Sequence, residues 1–379
     1  MRTLIAGSLL AATVAAASFG SSTRTVAAQA GPGATFSSIG PLTFAPDGTL
    51  FAGDTVGAAI VALDLRRTSG ARKGTGDVPN LDQTIAAMLG TDRSQVLITD
   101  IAVHPATMHT YVSVMRGEGA AAQPALLRVD GAGAVTLVDT AALRSSQVAI
   151  GDAPKKAAFA SPFSMDYVKV GPEYVHQNPR VRTITDMAYV SGQLIVAGLS
   201  NEEFNSTLRA IPYPFKGAAG TTNVEIYHAN HAQMETRSPI YTFVPYTIGG
   251  EPSLIAGYLC TPLVTLPIAS LKSGAHVRGR TIGEFGNGNR PLDMVVYSKG
   301  GQDYVLMANN RRGVMKIPTA PFAGAAAITT PIKETGGVPF ETVTSLTGVE
   351  QLDGLDGTRA IVLARSASKG LDLRAVVLP

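Results

Sequence analysis

The sequence predicts an all-β fold made of repeated units, and three observations support this prediction. Short apolar segments that alternate with polar residues recur along the chain, separated by turns rich in glycine, proline and aspartate. The 40 glycines and 23 prolines favour many tight turns. An aspartate also stands at the start of three apolar segments, in Thr99-Asp100-Ile101, Thr185-Asp186-Met187 and Leu292-Asp293-Met294.

Six copies of one strand–turn–strand unit follow one another. Their first strands are anchored, at intervals of 59, 86, 56, 51 and 55 residues, at Leu42, Ile101, Met187, Phe243, Met294 and Val349. Repeats of about this length in an all-strand pattern are typical of propeller blades. The sequence therefore predicts a single six-bladed β-propeller over residues 31–379.

The 86-residue interval leaves room for a seventh blade. Its β-capable part, Phe163 to Val170, is followed and preceded by prolines, so we interpret the segment near 142–182 as an insertion and keep seven blades as the alternative. The last copy has only three strands before the chain stops. We expect residues 34–38 to supply its outer fourth strand, so that an N-terminal strand closes the ring.

A short helix is predicted near residues 80–90. Asn80 is a capping residue, Gln83 stands three positions later, and Gly90 is a common helix end. Leu81, Ile85 and Met88 fall on one face of this helix. We expect it to cover the outside of the seam between the first two blades.

The first copy contains two strands joined by Pro46-Asp47-Gly48, a turn in which proline presets φ and glycine accepts a positive φ. With the other copies, over residues 39–378, it resembles the broad superfamily of NHL-type and lactonase-type six-bladed propellers. The resemblance implies the fold. The calcium-dependent lactonases of this superfamily carry Asp, Asn and Glu groups around the channel, whereas the first copy here starts with Ile39-Gly40-Pro41 and has no acidic residue.

The N-terminus has the pattern of a secretory signal peptide. Met1-Arg2 gives a basic start, Leu4 to Phe19 is apolar, and Ala28-Gln29-Ala30 offers small residues for cleavage. We therefore predict export to the periplasm or the extracellular space, with residues 1–30 removed. The single cysteine, Cys260, excludes an intrachain disulfide.

The charge balance excludes some partners. Without residues 1–30 the chain keeps 29 basic and 28 acidic residues, a formal charge of about +1. A near-neutral chain without a basic block is a poor nucleic-acid binder. No later stretch is apolar for long enough to predict a membrane span.

The aspartates at the strand starts mark the first candidate site. In a propeller the innermost strands line the central channel, so Asp100, Asp186 and Asp293 are expected at the channel mouth. Converging carboxylates raise one another's pKa or recruit a cation, and calcium is the candidate cofactor. Two alternatives remain: the aspartates accept N–H groups of their own turns, or they form a belt of ion pairs with arginines of the preceding loops. Those arginines are Arg182, Arg237 and Arg290.

Loops between second and third strands add polar groups to the same face. They include Glu202, a candidate general base, together with Asn309 and Arg311. A separate cluster is His228-Ala-Asn-His231, followed by Met234. This spacing is compatible with copper or zinc, with Cys260 as a further ligand, although no third ligand is fixed by the spacing.

These residues support three hypotheses of function. The first is an exported propeller that binds a small-molecule or protein ligand at its channel-mouth face. The second is a calcium-dependent hydrolase of the lactonase or esterase type. The third is a periplasmic redox accessory protein that binds copper at His228 and His231.

Overall fold

The computed structural model describes residues 29–155, 167–170, 173–176, 178–216, 219–260 and 262–379. Most of the predicted signal peptide, residues 1–28, and residues 156–166 of the predicted insertion lie outside the described residues. Within them the chain forms 29 strands, one α-helix and four short 3-10 helices. The 3-10 helices are Arg93–Gln95, Gly119–Ala121, Pro179–Arg182 and Ile268–Ser270.

Apart from one separate hairpin, the strands form six sheets arranged as blades, antiparallel except for one added strand in blade 3 and numbered here in the order of their first strands. Blade 1 contains β1 Gln29–Pro32, β2 Leu42–Phe44, β3 Thr49–Asp54, β4 Ala59–Asp64 and β9 Arg144–Ala149. Blade 2 contains β5 Val96–Val103, β6 Thr110–Arg116, β7 Gln123–Val129 and β8 Val135–Leu137. Blade 3 contains β12 Asp186–Val190, β13 Gln193–Leu199, β14 Ser206–Pro212, β15 Gly220–His228 and β16 Gln233–Glu235, with β20 His276–Arg278 added in parallel to β15.

The remaining three blades follow the same plan. Blade 4 contains β17 Ile240–Ile248, β18 Glu251–Tyr258, β19 Pro262–Pro267, β21 Arg280–Phe285 and β25 Thr335–Gly337. Blade 5 contains β22 Pro291–Lys299, β23 Gln302–Asn309, β24 Gly313–Pro318 and β26 Glu341–Thr342. Blade 6 contains β27 Val349–Gly354, β28 Arg359–Arg365 and β29 Leu371–Val377.

The prediction of a six-bladed β-propeller is confirmed. The hairpin formed by β10 Tyr167–Val170 and β11 Glu173–His176 belongs to none of the six blade sheets, so this segment is not a seventh blade. Part of the segment predicted as an insertion nevertheless belongs to the ring, because β9 pairs with β4 as an outer strand of blade 1.

The blades do not follow one another around the ring in chain order. Buried apolar clusters lie between neighbouring blades: Leu50 of blade 1 shares a cluster with Tyr111 of blade 2, and Phe51 shares one with Val196 of blade 3. Leu127 of blade 2 packs with Leu363 of blade 6. Blade 1 therefore lies between blades 2 and 3, and the ring runs 1, 3, 4, 5, 6, 2. The chain builds three strands of blade 1, turns back to build blade 2, and returns along blade 1 as β9.

The ring is closed by a segment other than the predicted one. Val78 exchanges two backbone hydrogen bonds with Leu373 at the outer edge of blade 6. Residues 34–38, which were predicted to form this outer strand, lie against blade 1 instead: the Ala34 N–H donates to the Thr140 carbonyl, and the N–H groups of Ser37 and Ser38 donate to Asp54. The buried Asp54 carboxylate holds them there because its two oxygens accept these donors.

The helix α1, Leu81–Leu89, forms where it was predicted, but it covers a different seam. Leu81 and Ile85 are fully buried between blades 2 and 6, whereas Met88 is 43% exposed. Asn80 adopts a left-handed conformation and its side chain makes no capping hydrogen bond. The predicted capping interaction is therefore wrong, and the helix is held by packing onto the seam. No helix among the described residues is long and apolar enough to cross a membrane.

Candidate functional site

A backbone irregularity is repeated at the start of most innermost strands. Four of these strands carry a β-bulge, between Ile98 and Asp100, Ile240 and Thr242, Pro291 and Asp293, and Val349 and Gln351. A bulge turns the next side chain relative to the ladder. The equivalent positions around the channel are Pro41, Asp100, Asp186, Thr242, Asp293 and Gln351.

The channel aspartates link neighbouring blades through backbone hydrogen bonds. One oxygen of Asp100 accepts the Leu42 N–H of blade 1 at 2.6 Å, and one of Asp186 accepts the Phe243 N–H of blade 4 at 2.7 Å. One oxygen of Asp293 accepts the Leu352 N–H of blade 6 at 2.8 Å. In each case the other oxygen accepts the N–H of the next residue in its own strand, at 2.7–2.8 Å. These aspartates were expected to accept N–H groups of their own turns; the local donor is instead the next residue of the strand, and each aspartate also binds the backbone of a neighbouring blade.

A fourth aspartate, Asp353, was not predicted. Its Oδ2 accepts the Val103 N–H of blade 2 at 2.7 Å, and its Oδ1 accepts the Gly354 N–H. Asp353 lies two residues beyond Gln351 on the same face of β27, one pleat further along the channel. The structure aligns Leu352, and not Val349, with the anchors of the other copies, so Gln351 takes the position of the repeated aspartates and Asp353 lies outside the repeat.

Gln351 connects two of the carboxylates across the channel. With its amide oriented so that both polar atoms are satisfied, the nitrogen donates to Asp293 Oδ2 and to Asp100 Oδ1, both at 3.1 Å. Blades 5 and 2 are not neighbours in the ring, so this bridge shows that their aspartates converge. We call Asp100, Asp186, Asp293, Asp353 and Gln351 the channel ring.

Burial raises the pKa of all four carboxyl groups, and repulsion between carboxylates adds to it at Asp100 and Asp293. Burial is the main cause for each of them, and it raises the pKa of Asp186 to about 7 and that of Asp353 to about 6. The neighbouring carboxylates add to burial in raising the pKa of Asp100 and of Asp293 well above the usual range. At neutral pH the channel ring therefore holds protons as well as negative charge.

The arginines are placed differently from the predicted ion-pair belt. A guanidinium group beside a carboxylate lowers its pKa, whereas the pKa of Asp186 and of Asp293 is raised. The guanidinium carbons of Arg182 and Arg290 instead lie 5.2 and 5.8 Å from the ring centre of Tyr241. This geometry is that of cation–π contacts. Arg237 is exposed in the segment between β16 and β17.

The loop residues predicted for the same face have local roles. Asn309 is buried, its Oδ1 accepts the N–H groups of Arg311 and Arg312, and its Nδ2 donates to Asn289 at 2.7 Å. Asn309 thereby holds the β23–β24 turn, from which Arg311 extends into solvent. Glu202 is exposed in the β13–β14 loop, where its N–H donates to Ser200.

The second predicted cluster is brought together more tightly than its spacing indicated. One ligand atom each of His228, His231 and Cys260 lies within 4.8 Å of the others. The two imidazole centres are 3.9 Å apart. Glu235, on the neighbouring strand, places one carboxylate oxygen 2.6 Å from His231 Nδ1 and the other 3.0 Å from His228 Nδ1. We call His228, His231, Cys260 and Glu235 the histidine–cysteine cluster.

The electrostatics of this cluster differ from those of the channel ring. Contacts with Cys260 and Glu235 raise the pKa of His231 to about 10. The two histidines lower the pKa of Glu235 to about 2 despite its burial. Met234, which was predicted beside the histidines, is 37% exposed, because neighbouring residues of a strand point to opposite faces and Glu235 occupies the inner one.

The comparisons with known proteins concern architecture. No protein-family model matches the sequence, and no curated protein matches it. Among solved structures, the PQQ-bound aldose sugar dehydrogenase of Streptomyces coelicolor aligns at 12% identity over 93% of this chain and 99% of that chain, with a TM-score of 0.33. The C-terminal WD40 domain of Sif2 aligns at 10% identity over 92% and 98%, with a TM-score of 0.35. Neither similarity carries an argument about function.

Proposed function

We propose that this protein is an exported binding scaffold that holds a cation, calcium first, in the channel ring and a small-molecule or protein ligand on the channel-mouth face above it. The observation that carries the proposal is the convergence of four carboxyl groups in one channel. Carboxylates that repel one another at a half-buried position favour a bound cation, and calcium is the hard cation that carboxylate and amide oxygens bind best at this size of ligand set.

The structural role of the aspartates does not account for their number. Blades 1 and 4 carry Pro41 and Thr242 at the equivalent position, and the ring closes there without a carboxylate. Burial raises the pKa of every carboxyl group of the channel ring, and repulsion between carboxylates raises that of Asp100 and Asp293 further. A cation would offset this cost and leave the backbone clamps intact, since each carboxylate oxygen has a second lone pair.

Calcium binding is tested by calorimetric titration and thermal unfolding. Protein recovered after export, with its first residue read by mass spectrometry and expected to be Gly31, is stripped with a chelator. We expect calcium to bind at pH 8 and to raise the melting temperature, and to do so much less at pH 5, because protonation of Asp186 and Asp353 competes with the cation.

The matched variants are Asp353→Asn and Asp92→Asn. The first removes one charge from the channel ring and should weaken calcium binding by about tenfold or more. Asp92 is exposed near the end of α1 and makes no capping hydrogen bond, so its variant should bind like the natural sequence. If calcium gives no heat of binding and no change in melting temperature at pH 8, the channel ring is a protonated structural element only.

Hydrolysis is the second candidate, and one observation favours it. A carboxyl group with a pKa of about 7, as in Asp186, has the range of a general base at neutral pH. The same calcium-loaded sample is therefore assayed against simple lactones and esters. Turnover that requires calcium and is lost in Asp186→Asn would replace the scaffold by a lactonase-type or esterase-type enzyme.

A further inference from the structure

We propose that His228, His231 and Cys260 form a binding site for one thiophilic transition-metal ion, with Zn²⁺ as the expected occupant. Two imidazoles and one thiolate are a ligand set that zinc and copper prefer and that calcium and magnesium avoid. The site is separate from the channel ring in residues and in chemistry, so its test does not depend on the function proposed above.

The buried imidazole of His228 is the observation that points to a ligand. The residue is 1% exposed, and neither ring nitrogen makes a well-aligned hydrogen bond. Glu235 lies 3.0 Å from Nδ1 but out of line, and Glu284 Oε1 lies 3.8 Å from Nε2, beyond hydrogen-bond distance. A buried polar atom without a partner costs roughly 1–3 kcal/mol. A metal ion bound at one nitrogen would remove that cost.

Glu235 is hydrogen-bonded to His231 and lies beside His228, the place that a carboxylate commonly takes behind metal ligands. Its two oxygens face Nδ1 of His231 and Nδ1 of His228, which leaves the opposite nitrogen of each ring for a metal. Carboxylate–histidine pairs of this kind fix ring orientation and increase the basicity of the ligand. Glu284 is fully buried, and its Oε1, which has no hydrogen-bond partner, is the candidate for a fourth ligand.

Cys260 is held in place by its backbone. Its φ is 58°, an uncommon value for a residue with a side chain, and its N–H donates to the Asn289 carbonyl at 2.8 Å. The turn between β18 and β19 thereby directs the thiol toward the ends of β15 and β16. Within the ligand set the charges balance: the Cys260 thiolate and the Glu284 carboxylate would together neutralise a dication. The His231 side chain is 29% exposed, which gives the ion access from solvent.

The site is tested by metal titration of the chelator-stripped protein. We expect one Zn²⁺ per chain by calorimetry and elemental analysis. Cobalt substituted for zinc should give tetrahedral visible bands and a thiolate-to-cobalt charge-transfer band. Cys260→Ser should abolish the charge-transfer band and weaken zinc binding about 100-fold. This variant keeps the shape of the side chain, so it avoids the folding risk of replacing the buried His228.

His276→Asn is the matched control, because His276 is a partly exposed histidine that pairs with Glu225 on the same blade. It should bind zinc like the natural sequence. If copper binds more tightly than zinc and with the same dependence on Cys260, the metal site is confirmed and its ion is copper. Zinc binding that is absent, or equal in the Cys260→Ser variant and the natural sequence, would overturn the proposal.

Alkylation distinguishes a metal-binding role of Cys260 from a role as a reactive thiol. If the cluster binds metal, zinc should protect Cys260 from iodoacetamide by at least about tenfold, since the thiolate is the ligand. Rapid alkylation that zinc does not slow would instead indicate that Cys260, His231 and Glu235 act as an activated thiol, and the metal site would be wrong.

Discussion

The channel ring and the histidine–cysteine cluster are built in opposite ways. In the channel ring, every carboxylate oxygen of the four aspartates accepts a backbone N–H, and groups of the same charge raise one another's pKa. In the histidine–cysteine cluster, groups of opposite charge stabilise one another, while the ring nitrogens of His228 have no aligned partner. The first site has hydrogen bonds but too much charge of one sign. The second has balanced charge but unused ligand atoms.

This difference follows from where each site lies in the repeat. The channel ring uses one register position in several blades, so its geometry comes from repetition. The histidine–cysteine cluster uses elements that blades do not share: the extra strand β16, the end of β15 and a strained turn at Cys260. The comparison predicts that a hard cation binds the first site and a softer metal the second.

The largest expected effect concerns pH and the channel ring. The pKa of Asp186 is higher in the folded protein than its ordinary value of 3.8, so between those two values the folded state binds more protons than the unfolded state. Stability is therefore gained as pH falls from 8 toward 5.5 and is lost as pH rises through 7. With a pKa of about 7, the fall from pH 8 to pH 5.5 should add about 2 kcal/mol of stability through this residue.

Chemical denaturation at pH 8 and at pH 5.5, without calcium, measures this gain. Asp186→Asn should remove most of it, because the amide does not titrate in this range. The exposed control Asp92→Asn should keep the natural pH dependence. Stability that is flat or falls between pH 8 and pH 5.5 would contradict the raised pKa of the channel ring, and calcium added at pH 8 should replace the effect of protons.

The next effect separates the two sites. Glu235→Gln keeps the shape of the side chain but removes the charge behind both histidines, so zinc affinity should fall about 10- to 100-fold. The calcium response of the channel ring should not change. Glu225→Gln is the matched control, because Glu225 lies on β15, the strand that ends at His228, and pairs with Arg278 and His276. Equal zinc affinity in both variants would mean that Glu235 does not orient the histidines.

Much of the fold could be predicted from the sequence because strand alternation and turn residues are local signals. The Pro46-Asp47-Gly48 turn forms as predicted, with the Thr49 N–H bound to Asp47. The order of the blades could not be predicted, since nothing in the local pattern of residues 65–95 shows that the chain turns back. The closing contact of Val78 with Leu373 and the position of α1 depend on that order.

Only some residues of each candidate site could be predicted from the sequence. The three repeated aspartates were visible in the sequence, but Asp353 lies outside the repeated position, so repetition could not indicate it. His228 and His231 were visible as a pair. The roles of Cys260, Glu235 and Glu284 depend on contacts between strands of blades 3 and 4, which spacing along the chain does not report.

The smallest expected effect concerns Gln351, which bridges Asp293 and Asp100. Gln351→Leu removes two hydrogen bonds to carboxylates, and at pH 8 it should lower the free energy of unfolding by roughly 1–3 kcal/mol. At pH 5.5 the loss should be smaller, because a protonated carboxyl group needs the amide donor less. Gln83→Leu, at an exposed position of α1, should have little effect at either pH. A loss that is equal at both pH values would mean that Gln351 contributes by packing. Its amide hydrogen bonds would then not stabilise the negative charge of Asp293 and Asp100.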